Sequence, residues 1–136
     1  MLEIEMDSKK FKCSLKLNHK VSVFIGDSGS GKTWFVRNIF DPYIGPRVKY
    51  SENVSPVLLN SREFHNQLSG EYNGTPLFIV DDDDFVYTKE FGELFNKTGK
   101  CYLIMVVRTE VNVLPICADA IYKFKADGIK HYIEQV

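Results

Sequence analysis

Apolar and polar residues alternate strictly at the start of the chain. In residues 2–6 leucine, isoleucine and methionine alternate with glutamates, and a second alternating run occupies residues 11–17 after the turn-like residues 7–10. A period of two is typical of a strand that buries one face. The pattern therefore predicts an antiparallel hairpin at the N-terminus.

Three later runs are apolar almost without interruption, which is typical of parallel strands covered on both faces. They are V-S-V-F-I at 21–25, T-P-L-F-I-V at 75–80 and C-Y-L-I-M-V-V at 101–107. Residues 119–135 have alternating segments on both sides of Asp127-Gly128, which predicts a second, C-terminal hairpin. Shorter strands are expected at 47–51 and 56–59.

Helical patterns lie between these strands. Residues 32–40 predict a helix that ends at Asp41-Pro42, and residues 88–97 predict another with its phenylalanines on one face. Ser61 is expected to be the N-cap of a third helix that ends near Leu68. Strands interleaved with helices predict an α/β fold with a mostly parallel central sheet in three layers and antiparallel hairpins at both termini.

Composition narrows the classes of protein that fit this pattern. The 136 residues are 44% apolar and 26% charged, which suits one globular domain over residues 1–136. The net charge of −1 favours neither a nucleic-acid nor a membrane surface. No signal peptide and no apolar run of about 20 residues is visible, so a cytoplasmic protein is expected. Its three cysteines lack metal-ligand spacing and are interpreted as reduced thiols.

The most specific motif fits G-x-x-x-x-G-K-[ST] and lies between a predicted strand and a predicted helix. Its members are Gly26, Asp27, Ser28, Gly29, Ser30, Gly31, Lys32 and Thr33. Glycines allow backbone N–H groups to turn inward around a phosphate, and the following helix adds a positive dipole end. We expect Lys32 to reach the β- and γ-phosphates and Thr33 to help hold Mg²⁺. Trp34 follows directly and is expected either to report nucleotide binding or to pack against the sheet.

Four aspartates follow the second apolar run. Asp81 comes directly after L-F-I-V, at the end of a strand expected beside the motif strand, and is the candidate Mg²⁺ ligand through a bound water. Asp82 is the candidate catalytic group that positions the attacking water, although aspartate is one methylene shorter than the usual glutamate. The next two aspartates are interpreted as solvated loop charges.

Arg108 follows the third apolar run. If that strand lies beside the motif strand, the Arg108 guanidinium would be near the γ-phosphate, where it could stabilise charge during catalysis. A surface salt bridge at a strand end is the alternative interpretation, and Thr109 is a second candidate at the same edge.

With these motifs the sequence resembles the P-loop NTPases, in the division that inserts a strand between the Walker A and Walker B strands. The hairpins and the segment L-P-I-C-A-D-A-I-Y-K-F-K-A-D-G-I resemble ATP-binding cassette domains, whose helical subdomain the chain has no room for. The pattern D-D-x-D followed by a strand ending V-V-R resembles AAA, STAND and KAP ATPases, whose helical lid is missing. The resemblance implies a reduced core of one of these two groups.

The resulting expectation is Mg²⁺-dependent ATP binding with slow or partner-stimulated hydrolysis, in which Lys32, Asp82 and Arg108 are catalytic. A protein partner or self-association would complete the site. A switch that binds nucleotide without hydrolysis is the main alternative, and a small nucleotide kinase the third. ATP is preferred to GTP because no N/T-K-x-D motif with its aspartate follows the last strands.

Overall fold

A computed structural model of the chain describes residues 1–7, 12–26, 31–41, 43, 48–81, 86, 88–107, 119–127 and 130–136. The strands are β1 (Leu2–Asp7), β2 (Lys12–Leu17), β3 (Val21–Ile25), β4 (Lys49–Tyr50), β5 (Val54–Leu58), β6 (Thr75–Asp81), β7 (Tyr102–Val107), β8 (Ala120–Asp127) and β9 (Lys130–Gln135). The helices are α1 (Lys32–Phe40), α2 (Phe64–Ser69) and α3 (Lys89–Asn96). None of the helices so described is both long and apolar enough to cross a membrane.

The main sheet has six strands in the order β5-β6-β7-β3-β8-β9. Every neighbouring pair from β5 to β8 is parallel, and β9 returns antiparallel to β8. The predicted α/β class with a mostly parallel sheet is therefore confirmed. The expectation that β6 lies beside β3 is wrong, because β7 lies between them and separates them by two strand spacings, about 10 Å.

A second sheet contains three strands in the order β2-β1-β4. The N-terminal hairpin is confirmed, with Leu2 opposite Leu17 and Asp7 opposite Lys12, but it belongs to this small sheet and does not extend the main one. The C-terminal hairpin does extend the main sheet, with Asp127 opposite Lys130. The turn predicted at Asp127-Gly128 falls on residues 128–129, which lie outside the described part of the chain.

Both faces of the main sheet are covered by apolar cores. The small sheet and α1 cover one face, where Phe24, Phe35 and Phe124 form a ring cluster with centroids 5.1 to 5.9 Å apart. Helices α2 and α3 cover the other face, where Phe64 and Phe91 pack edge to face. The period-two alternation along β3 divides its side chains between the two cores, which explains its continuous burial.

The structure confirms the predicted bounds of β3 and α1 and corrects those of α2. That helix begins at Phe64, and Ser61 is not its cap. The Asn60 side-chain oxygen accepts the N–H groups of Arg62 and Glu63 at 3.0 and 2.9 Å, so an asparagine turn precedes the helix, which begins later than a cap at Ser61 predicts. Helix α3 begins at Lys89, directly after Thr88.

Strand β5 forms one edge of the main sheet and carries a proline. The Leu59 N–H donates to the Ile79 oxygen, so alternate N–H groups along β5 face β6 and position 56 faces away from it. Pro56 therefore stands where a backbone donor would have no partner in the sheet, as proline in strands usually does. The other short strand, β4, has only two residues of the predicted 47–51.

Candidate functional site

The parallel strands β3, β7 and β6 have their C-terminal ends on the same side of the main sheet. From here on, the edge of the sheet means this side, and not the outer strands β5 and β9. Ile25 is opposite Val107, and Asp81 is opposite Val106. The Gly26 N–H donates to the Val107 oxygen at 3.1 Å, so the ladder continues one residue beyond β3. Gly26 is buried there. The start of the glycine-rich motif and Asp81 therefore lie on one edge, with β7 between them.

Gly31 closes the motif and starts α1. It is buried, its φ is 111°, and its carbonyl accepts the Phe35 N–H at 3.0 Å as the first bond of the helix. Glycine adopts this left-handed backbone readily, whereas residues with a Cβ are strained there. The sequence thus places a glycine where the turn into the helix requires one.

The next feature of this edge is the N-terminus of α1. None of the described side chains caps it, and its first turn contains no acidic residue. The first N–H groups of a helix have no partner within the helix, and the helix dipole is positive there. Lys32 and Thr33 are its first two residues, half-buried and exposed respectively. No ion pair joins Lys32 to a carboxylate in the part of the chain that the structure describes.

Trp34 is held by its own helix. The side chain is half-buried against the core shared with α1, and the Arg37 guanidinium lies 4.9 Å from the centre of its ring. The buried Asn38 amide donates to the Trp34 carbonyl at 2.6 Å, and Arg37 lies 3.9 Å from the Asp41 carboxylate. These contacts give Trp34 the packing role, and its contact with nucleotide remains a prediction.

Asp81 is the last residue of β6 and is exposed, whereas the four residues before it are buried. Several other predicted residues lie outside the described part of the chain, namely Asp27, Ser28, Gly29, Ser30, Asp82, Arg108 and Thr109. The strand that precedes Arg108 does lie beside β3, as the sequence predicted. Of the described candidate residues, Gly26 directly follows β3, Asp81 ends β6, and Gly31, Lys32 and Thr33 begin α1, the helix that follows β3 in the chain.

The donor set suits Mg²⁺ held partly by a ligand. Mg²⁺ usually keeps several waters and binds one or two protein oxygens together with phosphates. Thr33 offers a hydroxyl and Asp81 a carboxylate at this edge, and among the described residues no three His, Cys, Asp or Glu side chains are grouped as a metal site. The residues present fit a metal carried with a polyphosphate better than a metal bound by protein alone.

Two lysines at the same edge were missed by the sequence analysis. Strand β8 pairs with β3 on the side away from β7 and places Lys123 opposite Ile25, with Lys125 two residues further along. The alternation K-F-K was visible in the sequence, but nothing local indicated that this strand is the neighbour of β3.

Two of the three cysteines lie in the part of the chain that the structure describes. Cys13 and Cys101 are free, and burial raises the pKa of the Cys13 thiol to about 12, so it stays protonated at neutral pH. Cys117 lies outside the described residues. His65 is half-exposed and lies 2.7 Å from the Glu90 carboxylate, a contact at the surface between α2 and α3.

No protein-family model matches the chain, and a search of curated proteins also finds no match. The residues at this edge of the sheet are therefore the basis on which a function can be proposed.

Proposed function

We propose that the chain is a P-loop nucleotide-binding domain that binds Mg·ATP at the edge formed by residues 26–33 and Asp81. One observation carries the proposal. The complete G-x-x-x-x-G-K-T motif lies between a buried parallel strand and a helix, and its last glycine is buried with a φ of 111°. That combination is the context in which the motif binds phosphate.

Each residue has a distinct role in this proposal. The backbone N–H groups of the loop and of the α1 terminus surround the phosphates. Lys32 neutralises the β- and γ-phosphates, and the Thr33 hydroxyl holds Mg²⁺ directly. Asp81 binds the ion through a water molecule. The metal, when bound, shields phosphate charge, while the protein groups fix its position.

The strand order supports this proposal independently of the motif. A strand lies between the one that leads into the motif and the one that ends in Asp81, which is the arrangement that the resemblance to the additional-strand division implies. Position 108 follows that intervening strand directly, so the sequence places an arginine after the strand nearest the loop. This placement is the basis for assigning Arg108 a role near the γ-phosphate.

Hydrolysis is the second part of the proposal. Asp82 positions the attacking water and Arg108 stabilises charge on the transferred group. Turnover is then slow until a protein partner or a second copy supplies another cation, an addition worth roughly 10³ to 10⁵ in rate in related chemistry. Because Asp82 is shorter than glutamate, a nucleotide-binding switch without hydrolysis is the competing function.

Binding is tested first, by calorimetric titration of ATP with Mg²⁺ into wild type and three variants. Lys32→Ala should raise the Kd by at least about a hundredfold, since it removes a charge-assisted contact with two phosphates. Asp81→Asn should weaken binding only when Mg²⁺ is present. Lys97→Ala, at an exposed lysine next to α3, is the matched control and should leave the Kd unchanged.

Binding that Lys32→Ala does not weaken, or no binding by wild type, would reject the proposal. A thermal scan gives a second measurement, because ATP at a hundred times its Kd should add about 2.7 kcal/mol to the free energy of unfolding. Phosphate release then separates the two functions. Turnover that Asp82→Asn abolishes identifies an ATPase, whereas tight binding without turnover identifies a switch.

A further inference from the structure

Strand β8 brings two lysines to the edge of the sheet that holds the proposed nucleotide site. Lys123 is opposite Ile25, the last residue of β3, on the side away from β7. Lys125 lies two residues further toward the end at which the chain leaves β3 for the motif. Because strands lie about 4.8 Å apart and rise about 3.3 Å per residue, the Lys125 backbone extends about 7 Å beyond the level of Ile25.

Both lysines lie on the face of β8 that points away from α1. Tyr122 and Phe124 alternate with them and are buried in the core shared with α1. Lys125 is exposed and Lys123 half-buried, beside a shallow depression of about 190 Å³ that Glu134 also lines. Glu134 is opposite Lys123 in register, yet within the described ranges neither lysine is in an ion pair. No described carboxylate is thus in contact with either ammonium group, although Glu134 lies opposite Lys123 and Asp127 follows Lys125 by two residues on the same strand.

Charge is consequently ordered along this edge. The carboxylate of Asp81 ends β6, the motif with Lys32 follows β3, and the two lysines lie on β8. From β6 to β8 the edge spans three strand spacings, about 14 Å. A ligand that carries Mg²⁺ at one end would be drawn with the metal toward β6 and with its remaining negative charge toward β8.

We propose that Lys123 and Lys125 form a second cationic element of the site, which strengthens binding of ligands in proportion to their phosphate charge. This inference rests on the proposed nucleotide-binding function. The proposal adds these two lysines to the site. It also predicts that the site binds nucleoside triphosphates more tightly than the corresponding mono- and diphosphates. The lysines act at a distance as positioning residues and need not touch the ligand.

An interaction of this kind has a characteristic salt dependence. Exposed charges interact over a screening length of about 10 Å at 0.1 M salt, and this length shrinks to about 3 Å at 1 M. Removing both charges should therefore raise the Kd for ATP about three- to tenfold at about 0.02 M salt. The same change should have less than about a twofold effect at about 0.5 M salt.

The experiment compares matched variants by calorimetric titration with ATP, ADP and AMP, with Mg²⁺ present, at both salt concentrations. The test protein is Lys123→Gln/Lys125→Gln, and Lys123→Arg/Lys125→Arg retains charge at the same positions. Lys97→Gln/Lys100→Gln is the control for the loss of two charges, since these exposed lysines precede β7 and lie toward the opposite edge of the sheet; it also removes the ion pair of Lys100 with Glu52. Lys32→Ala gives the loss of affinity expected when the lysine of the motif is removed.

We expect the glutamine variant to lose more affinity for ATP than for ADP, and more for ADP than for AMP. The arginine variant should bind all three nucleotides with wild-type affinity. Wild-type affinity in the glutamine variant would overturn it while nucleotide binding stands. An equal loss in the control, or an arginine variant as weak as the glutamine one, would also overturn it by indicating a general or structural effect. If the wild-type protein binds no nucleotide, both the proposed function and this inference are rejected.

Discussion

Helices α1 and α3 both follow parallel strands of the main sheet, but their N-termini differ. In α3 the Thr88 hydroxyl accepts the Phe91 N–H at 3.1 Å, and Glu90 lies in the first turn. In α1 a glycine stands at the cap position, none of the described side chains caps the helix, and the first turn has no acid. Among the described residues, a side chain satisfies the N-terminus of α3 and none satisfies that of α1. This difference locates the proposed site more sharply than the motif alone.

The largest effect is expected from Gly31→Ala. A Cβ at a φ of 111° is strained and the residue is buried, so we expect a loss of about 1 to 3 kcal/mol in the free energy of unfolding. Binding of ATP should fall at least about tenfold because the loop must shift. Gly99→Ala is the control, since a Cβ there would meet nothing within 4 Å. Urea denaturation and calorimetry measure the two effects, and equal stability of both variants would contradict the assignment.

The next effect is on the capped helix. Thr88→Ala should lower the free energy of unfolding by about 1 kcal/mol, since it leaves the Phe91 N–H without its side-chain acceptor. Thr88→Ser retains the hydroxyl and should stay within a few tenths of a kcal/mol of wild type. Urea midpoints measure both. A Thr88→Ala protein as stable as wild type would remove the contrast between the helices.

An acid in the first turn of α1 should make it resemble α3. We expect Thr33→Glu to stabilise the ligand-free protein by about 0.5 kcal/mol through the helix dipole. The same carboxylate should repel phosphate and raise the Kd for ATP. Thr33→Gln separates charge from the loss of the hydroxyl. If the glutamate weakens stability and leaves binding intact, the terminus is not an anion site.

The converse change in α3 should have the smallest effect. Glu90→Gln removes the first-turn charge and weakens the contact with His65, in which the two side chains are 48% (His65) and 63% (Glu90) exposed. The loss in stability should be a few tenths of a kcal/mol and should shrink in high salt, since exposed ion pairs contribute little. Nucleotide affinity should not change. A change in affinity would show that the two helices are coupled.

Local signals in the sequence were enough for some elements. The bounds of β3 and α1 were predicted because a continuous apolar run, a glycine-rich turn and Asp41 mark them directly. The start of α2 was wrong because two residues with suitable oxygens are adjacent, and only the structure distinguishes Asn60 from Ser61 as the one that accepts the N–H groups.

Long-range pairing was harder to predict. Both β6 and β7 were expected beside β3, and only β7 lies there. The pattern of each strand does not record pairing between residues more than fifty positions apart, so it could not distinguish the two. For the same reason Lys123 was overlooked, although Lys32 was found. Of the candidate site, the sequence supplied the residues of the motif and Asp81, while their arrangement along one edge required the strand order.

The proline in β5 has a consequence for how copies of this protein can associate. A strand that docked alongside β5 would meet a gap in the row of hydrogen-bond donors at Pro56. Addition of further strands alongside β5 is thereby disfavoured, so this edge strand is a poor template for the growth of fibres.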